Sequence, residues 1–251
     1  MNAHVAGDGP ALVLLHGGHG SWTHWVRNID ALARHFGVVA FDLPGYSASP
    51  DVPPDIDIDR YVAWIADAVA SVAAQDRHGG IDLVGFSFGG ALSARIAPKL
   101  GDAVRRISLL GPSGFGARGV VDMVRLPPPD DPGRVAIAAA NLGAFMLAKP
   151  AAPDDPVVGI QLANIDGTRF DSRRISRRST MLDDLPHIPA PVQMIWGALD
   201  KLPIPSLAAR AQACRDARPD VRITIVPDGG HWIQYDRPHA INRLLIDFHR
   251  R

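Results

Sequence analysis

Three side chains in this chain have the types and the order needed for acyl transfer. Ser87 lies in Gly85-Phe86-Ser87-Phe88-Gly89, Asp200 in Trp196-Gly197-Ala198-Leu199-Asp200, and His231 in Gly229-Gly230-His231-Trp232. A serine hydroxyl is a poor nucleophile at neutral pH and needs a base within hydrogen-bond reach. Glycines two residues before and after Ser87 permit the sharp strand-to-helix turn that exposes its oxygen, and the helix that follows points its N-terminal dipole at the reacting group. His231 is the best base among the ten histidines, because two glycines let its loop swing over a strand end; His239 belongs to a turn into the last helix and His187 to a proline-flanked boundary. Asp200 would fix the tautomer of His231 and stabilise the imidazolium.

Acyl transfer also requires hydrogen-bond donors where the carbonyl oxygen becomes negative. The run His16-Gly17-Gly18-His19 supplies one arm, because glycines let backbone N–H groups turn inward, and Phe88 supplies the other. The expected pair is the N–H of Gly18 with that of Phe88, and His19 is the neighbouring alternative. His16 is read as structural. His19, Phe86 and Trp232 flank these groups and are candidate substrate contacts.

These residues need a frame that gathers them at one edge. Short apolar runs at Ala11–His16, Gly37–Phe41, Ile81–Gly85, Arg106–Leu110, Pro191–Trp196 and Val221–Val226 read as strands. Amphipathic stretches at Ser21–His35, Asp59–Gln75, Phe88–Leu100, Pro205–Arg215 and Pro238–Phe248 read as helices, with Ser21 and Asp59 as caps and Pro205 and Pro238 as first-turn prolines. The alternation predicts an α/β fold with a mostly parallel twisted sheet flanked by helices, whose ligands bind beyond the carboxyl ends of the strands. All the singled-out residues follow predicted strands.

The βα rhythm stops between Gly111 and Pro191, where Pro127-Pro128-Pro129, Pro150, Pro153 and Pro156 precede an arginine-rich segment. We expect one domain over 1–251, with a core of 1–111 and 190–251 and a mostly helical cap inserted at about 112–189. Ile137–Leu147 is apolar enough to pack. Arg169, Arg173 and Arg177 recur at i, i+4, as do Arg174 and Arg178, which predicts a basic helical face that aspartates 166, 171, 183 and 184 can partly neutralise.

At 251 residues with 47% hydrophobic residues, the chain can bury one large core. Lys+Arg and Asp+Glu are equal at 26 each, so no charge excess draws it to nucleic acid or an anionic membrane. A small, weakly charged molecule is the expected partner. Cys214 is the only cysteine, which excludes a disulfide framework and any multi-cysteine metal site. The N-terminus has no signal-peptide pattern, and a cytoplasmic protein without metal or cofactor is expected.

Taken together, HGG after a strand, Asp42-Leu43-Pro44-Gly45-Tyr46-Ser47 after the next, GFSFGG, WGALD and GGHW resemble the α/β-hydrolase superfamily over almost the whole chain. The resemblance implies hydrolysis of a small carboxylic ester through an acyl-enzyme on Ser87. Two stretches, Gly230–Asp236 with Asn242–Phe248 and Trp25–Ile29, are similar to the C–C bond hydrolases that follow meta-cleavage of aromatic rings, which implies a 2-hydroxy-6-oxo-dienoate as the alternative substrate. Those enzymes usually carry asparagine before the nucleophile and methionine after it, where this chain has Phe86 and Phe88. On that alternative an arginine among Arg169, Arg173 and Arg174 would hold the substrate carboxylate. A third expectation, from another class, is a binding protein that keeps the pocket without turnover. Only ten residues precede Ala11, too few for the family's usual opening hairpin, so we expect a shortened sheet edge or an edge covered by a partner subunit in a homodimer.

Overall fold

The computed structural model describes residues 1–250. Seven strands form one sheet: β1 (Ala3–Ala6), β2 (Ala11–Leu15), β3 (Gly37–Phe41), β4 (Ile81–Phe86), β5 (Val104–Leu110), β6 (Val192–Gly197) and β7 (Arg222–Val226), in the order β1-β3-β2-β4-β5-β6-β7. All neighbours pair in parallel except β1 with β3. This is an α/β fold, with a mostly parallel sheet flanked by helices as the sequence predicts. The central strands are mostly apolar because helices cover both of their faces; β2 is so without a break, whereas β4 carries Asp82 and β5 carries Ser108. Every residue of Ala11–Leu15 and of Ile81–Phe86 is buried.

The chain crosses from β2 to β3 on one side and then returns to place β4 on the other side of β2. Connections leaving β2 and β4 therefore diverge and open a crevice at their carboxyl ends. That crevice receives the His16–Gly20 loop and the turn at Ser87.

One face of the sheet packs beneath the helices Ile58–Gln75 and Phe88–Leu100, the other beneath Pro238–His249. Asp57, not Asp59, caps the first of these helices, and its carboxylate accepts the N–H groups of Asp59 and Arg60. Pro205 lies before its helix and not in the first turn: Ser206 caps Leu207–Ala217 by accepting the N–H of Ala209. The stretch expected as one helix from Ser21 to His35 is a short 3-10 turn, Trp22–Trp25, and a single helical turn, Ile29–Leu32. Buried Asn28 separates the two, its amide donating to Gln234 O and Asn242 Oδ1, which fixes the segment to the turn Ile233–Asp236 and the last helix instead of letting it run on.

The sheet edge is short but present. β1 has four residues, matched to β3 from Ala3 opposite Phe41 to Ala6 opposite Val38, and Asn2 secures it through Asp42 and Ser49.

The segment between β5 and β6 contains helices Arg134–Phe145 and Pro156–Asp166, followed by the single turns Arg173–Ser176 and Met181–Asp184. Ala138, Leu142 and Val157 extend one core cluster, and Phe170, Ile175 and Met181 extend the other. No helix among the described residues is long and apolar enough to cross a membrane.

A polar knot lies inside this apolar frame. Arg105 pairs with Asp82 at 3.0 Å, Asp82 Oδ1 stands 3.2 Å from His249 Nδ1, and His249 Nε2 lies 2.7 Å from Ser108 Oγ. Gln193 donates to Ser108 at 2.8 Å. Asp82, Ser108 and His249 are all buried.

Candidate active site

Ser87 sits between β4 and the helix Phe88–Leu100 with φ +50° and ψ −110°. For a non-glycine residue this backbone costs on the order of 1–3 kcal/mol and persists only where its surroundings hold it. Here the Ser87 N–H donates to Leu110 O, and its carbonyl accepts from Ala91 and Ser113. A Cβ on Gly89 would stand 2.3 Å from Leu15 O, and one on Gly85 would stand 2.3 Å from Gly89 O. The flanking glycines are thus imposed by backbone packed against backbone.

His231 Nε2 lies 3.0 Å from Ser87 Oγ, and His231 Nδ1 lies 2.9 Å from Asp200 Oδ2. The three residues come from the ends of β4, β6 and β7, 113 and 31 positions apart in the chain. The other oxygen of Asp200 accepts the N–H of Leu202 at 3.0 Å. Burial pushes the Asp200 carboxyl up, but the charge and hydrogen bond of His231, the Leu202 N–H and Arg210 outweigh it and hold the group below the usual carboxylate range. Asp200 is therefore an anion facing one edge of the imidazole. Its Oδ1 and Oδ2 are both engaged, which fixes the ring with the proton on Nδ1 and leaves Nε2 to accept from Ser87.

The loop His16–Gly20 is held from two sides. Buried His16 donates from Nδ1 to Gly17 O and accepts the Leu43 N–H at Nε2, the structural placement its position in the sequence implied; burial pushes its pKa down to about 4, so it is neutral. His24 accepts the Gly17 N–H at Nδ1, 3.2 Å away, so that donor is spent. Among the described residues the N–H groups of Gly18 and His19 form no loop hydrogen bond within the protein. Gly18, His19, Phe86 and Phe88 all line the cavity over Ser87, which holds about 550 Å³.

Not every residue singled out in the sequence reaches that cavity. Trp232 does not: it is fully buried, and its indole donates to His24 O at 2.9 Å. The arginines do not share one helical face, because residues 168–172 are not helical and only Arg173–Ser176 forms a turn. Arg169 ties the inserted segment to the core through Asp51 and the carbonyls of Ser47 and Ser49. Arg174 donates to Ile56 O and lies over Phe170, away from the cavity. Arg173 lines the cavity but is held by Asp171 at 2.7 Å.

Other residues enter the site without a signal in the sequence. Gly111, with φ +46°, passes so close to the triad that a Cβ there would lie 3.3 Å from the His231 ring and 3.4 Å from Asp200 Oδ2. Phe145, from the inserted segment, lies tilted against the same ring with centroids 5.4 Å apart. Proximity across the chain is the only mark of either, apart from the strand end that Gly111 announces after β5.

A profile described as the alpha/beta hydrolase family matches residues 12–244. A 2-hydroxy-6-oxo-6-phenylhexa-2,4-dienoate hydrolase of Burkholderia cepacia is 28% identical over 267 residues, covering 97% of this chain and 88% of that protein. The dihydrolipoyllysine-residue acetyltransferase component of an acetoin cleaving system from Pseudomonas putida is 26% identical over 97% of this chain, which spans only 64% of that protein's length. Among solved structures, a carboxylesterase from Bacillus subtilis superposes with a TM-score of 0.73 at 20% identity, over 97% of this chain and 85% of that one, a likeness of fold.

Proposed function

The chain belongs to the alpha/beta hydrolase family, and from that premise we propose that it is a serine hydrolase cleaving small carboxylic esters through an acyl-enzyme on Ser87. The observation that carries this reading is the unbroken hydrogen-bonded line Asp200–His231–Ser87 at the floor of the cavity. His231 Nε2 takes the Ser87 proton as Oγ attacks the ester carbonyl. The same proton passes to the departing alcohol oxygen, and the acyl group remains on Ser87. Water then gives a proton to His231 and attacks the acyl carbon, releasing the acid and returning the proton to Ser87 Oγ. The N–H groups of Gly18 and Phe88 receive the oxyanion, with His19 N–H as the neighbouring donor.

The aromatic lining from Phe86, Phe88 and Phe145 suits an apolar acyl or alcohol chain next to the scissile bond. Turnover of short aliphatic esters and labelling of the protein by a fluorophosphonate test this reading directly. Both should vanish in Ser87→Ala, and full retention of either removes the mechanism.

A second reading is C–C hydrolysis of a 2-hydroxy-6-oxo-dienoate on the same triad, favoured by the identity of 28% to the Burkholderia cepacia enzyme across nearly the whole chain. Loss of dienoate absorbance on addition of the protein would support it. The ester and dienoate assays, run side by side, separate the two.

A further inference from the structure

The charges around the cavity do not balance. Its wall carries five arginines (118, 169, 173, 177 and 210) and two aspartates, Asp171 and Asp200, although the whole chain has 26 basic and 26 acidic residues. Asp200 serves His231 and Asp171 serves Arg173. Arg169 is taken by Asp51, while Arg210 donates to Ala117 O and lies over the Phe115 ring. What is left is Arg118 and Arg177, whose guanidiniums make no ion pair or hydrogen bond among the described residues. Arg118 feels burial and the like charges of Arg177 and Arg173, all of which push its pKa down. Both residues are exposed, so water screens their charges, and their free N–H donors at the cavity are open to a bound anion.

Their position relative to the triad is defined. The Arg118 guanidinium lies 6.0 Å over the Phe145 ring, and that ring lies 5.4 Å from the ring of His231. One aromatic side chain thus separates the cation from the base. Arg118 enters from the start of the inserted segment and Arg177 from near its end, so two distant stretches converge on one wall. Phe86, Phe88, Phe115 and Phe145 line the same cavity as Ser87 and the two arginines.

From this arrangement we infer that the substrate is an ester with a carboxylate remote from its scissile carbonyl, held by Arg118 and Arg177 while the apolar span between lies along Phe145. A guanidinium offers a carboxylate two parallel N–H donors. The inference rests on the ester-hydrolase reading above for its chemistry, but the anion site can be measured separately.

Monomethyl adipate and methyl hexanoate differ at the far end by a carboxylate in place of a methyl group. With acid release followed at constant pH, kcat/KM for the adipate half-ester should exceed that for the neutral ester by about tenfold or more, the ratio given by one charge-assisted contact. The ratio should fall towards one in Arg118→Gln/Arg177→Gln, fall partway in each single variant, and shrink with added salt in the wild type. A wild-type ratio at or below one, or a ratio unchanged in the double variant, overturns the inference. If neither ester turns over, the esterase reading fails and binding decides the anion site. In calorimetry on Ser87→Ala, adipate should then bind more tightly than hexanoate, and lose that advantage when both arginines are glutamine. Equal binding of the two acids overturns the site.

Discussion

Phe145 and His231 face each other with ring centroids 5.4 Å apart and planes inclined by 34°, so the imidazole that meets Ser87 is walled on one side by the segment inserted between β5 and β6. The core holds the hydrogen-bonded edge of the histidine, and the insertion covers its face. Replacing Phe145 by alanine should lower kcat on a short aliphatic ester by about tenfold, because small losses of alignment at a reacting group are costly. Steady-state kinetics check this: a change confined to KM would mean that the ring only contacts substrate.

Gly111 gives a second expectation. Alanine there must adopt φ +46° and bring a methyl group against both His231 and Asp200. Gly111→Ala should lose on the order of 1–3 kcal/mol of stability and about a hundredfold in kcat. Thermal melting and ester kinetics on the same preparation measure both; near-wild-type turnover would show that the triad has room to move.

Asp200→Asn should keep the fold and lower kcat by about 10⁴-fold, since an amide can donate to Nδ1 and select the wrong tautomer. The pH dependence has a definite sign. The Asp200 carboxyl is held below its ordinary value in the folded chain, so its contribution to stability is present above the ordinary carboxylate range and is lost as pH falls through the lowered value. Melting curves in acid should therefore show a shallower loss in Asp200→Asn than in the wild type. An identical acid limb would refute the assignment.

Three buried histidines make a further pH prediction. Burial lowers the pKa of His16 to about 4, and it also lowers those of His24 and His249. Each binds its proton more readily in the unfolded chain, so the native state is favoured above the ordinary histidine value, about 6.5, and loses that advantage as pH falls towards the lowered values. The melting temperature should drop between about pH 6.5 and about 4, ahead of carboxylate titration. A melting temperature flat to pH 4 would contradict it.

Much of the frame was legible because its constraints are local. Gly85 and Gly89 flank Ser87 where backbone meets backbone, and no larger residue could have stood there. Helix Phe88–Leu100 and the central strands carry their burial in their own composition. Other features depend on partners far along the chain. Ser21–His35 has helical periodicity, but Asn28 trades its place in a helix for bonds to Gln234 and Asn242, which no spacing announces. β1 is four half-exposed residues whose strand character comes from β3. The arginines at i, i+4 suggested a face because spacing was all that could be read, whereas Asp51, Asp171 and the carbonyl of Ile56 sort them one by one. Trp232 was placed beside substrate because it follows His231, yet its indole turns inward to His24.

The buried knot of Asp82, His249 and Ser108 repeats the residue types of the triad, with an oxygen 3.2 Å from one imidazole nitrogen and a hydroxyl 2.7 Å from the other. The distances resemble those of the first set, but Asp82 Oδ1 and His249 Nδ1 do not meet as a hydrogen bond, whereas Asp200 and His231 do. Only Ser87 adjoins the cavity and sits on a left-handed turn; Ser108 lies in the middle of a core strand with no accessible surface. On the proposed mechanism reactivity is thus a matter of address: the same three side-chain types recur where no substrate can reach them.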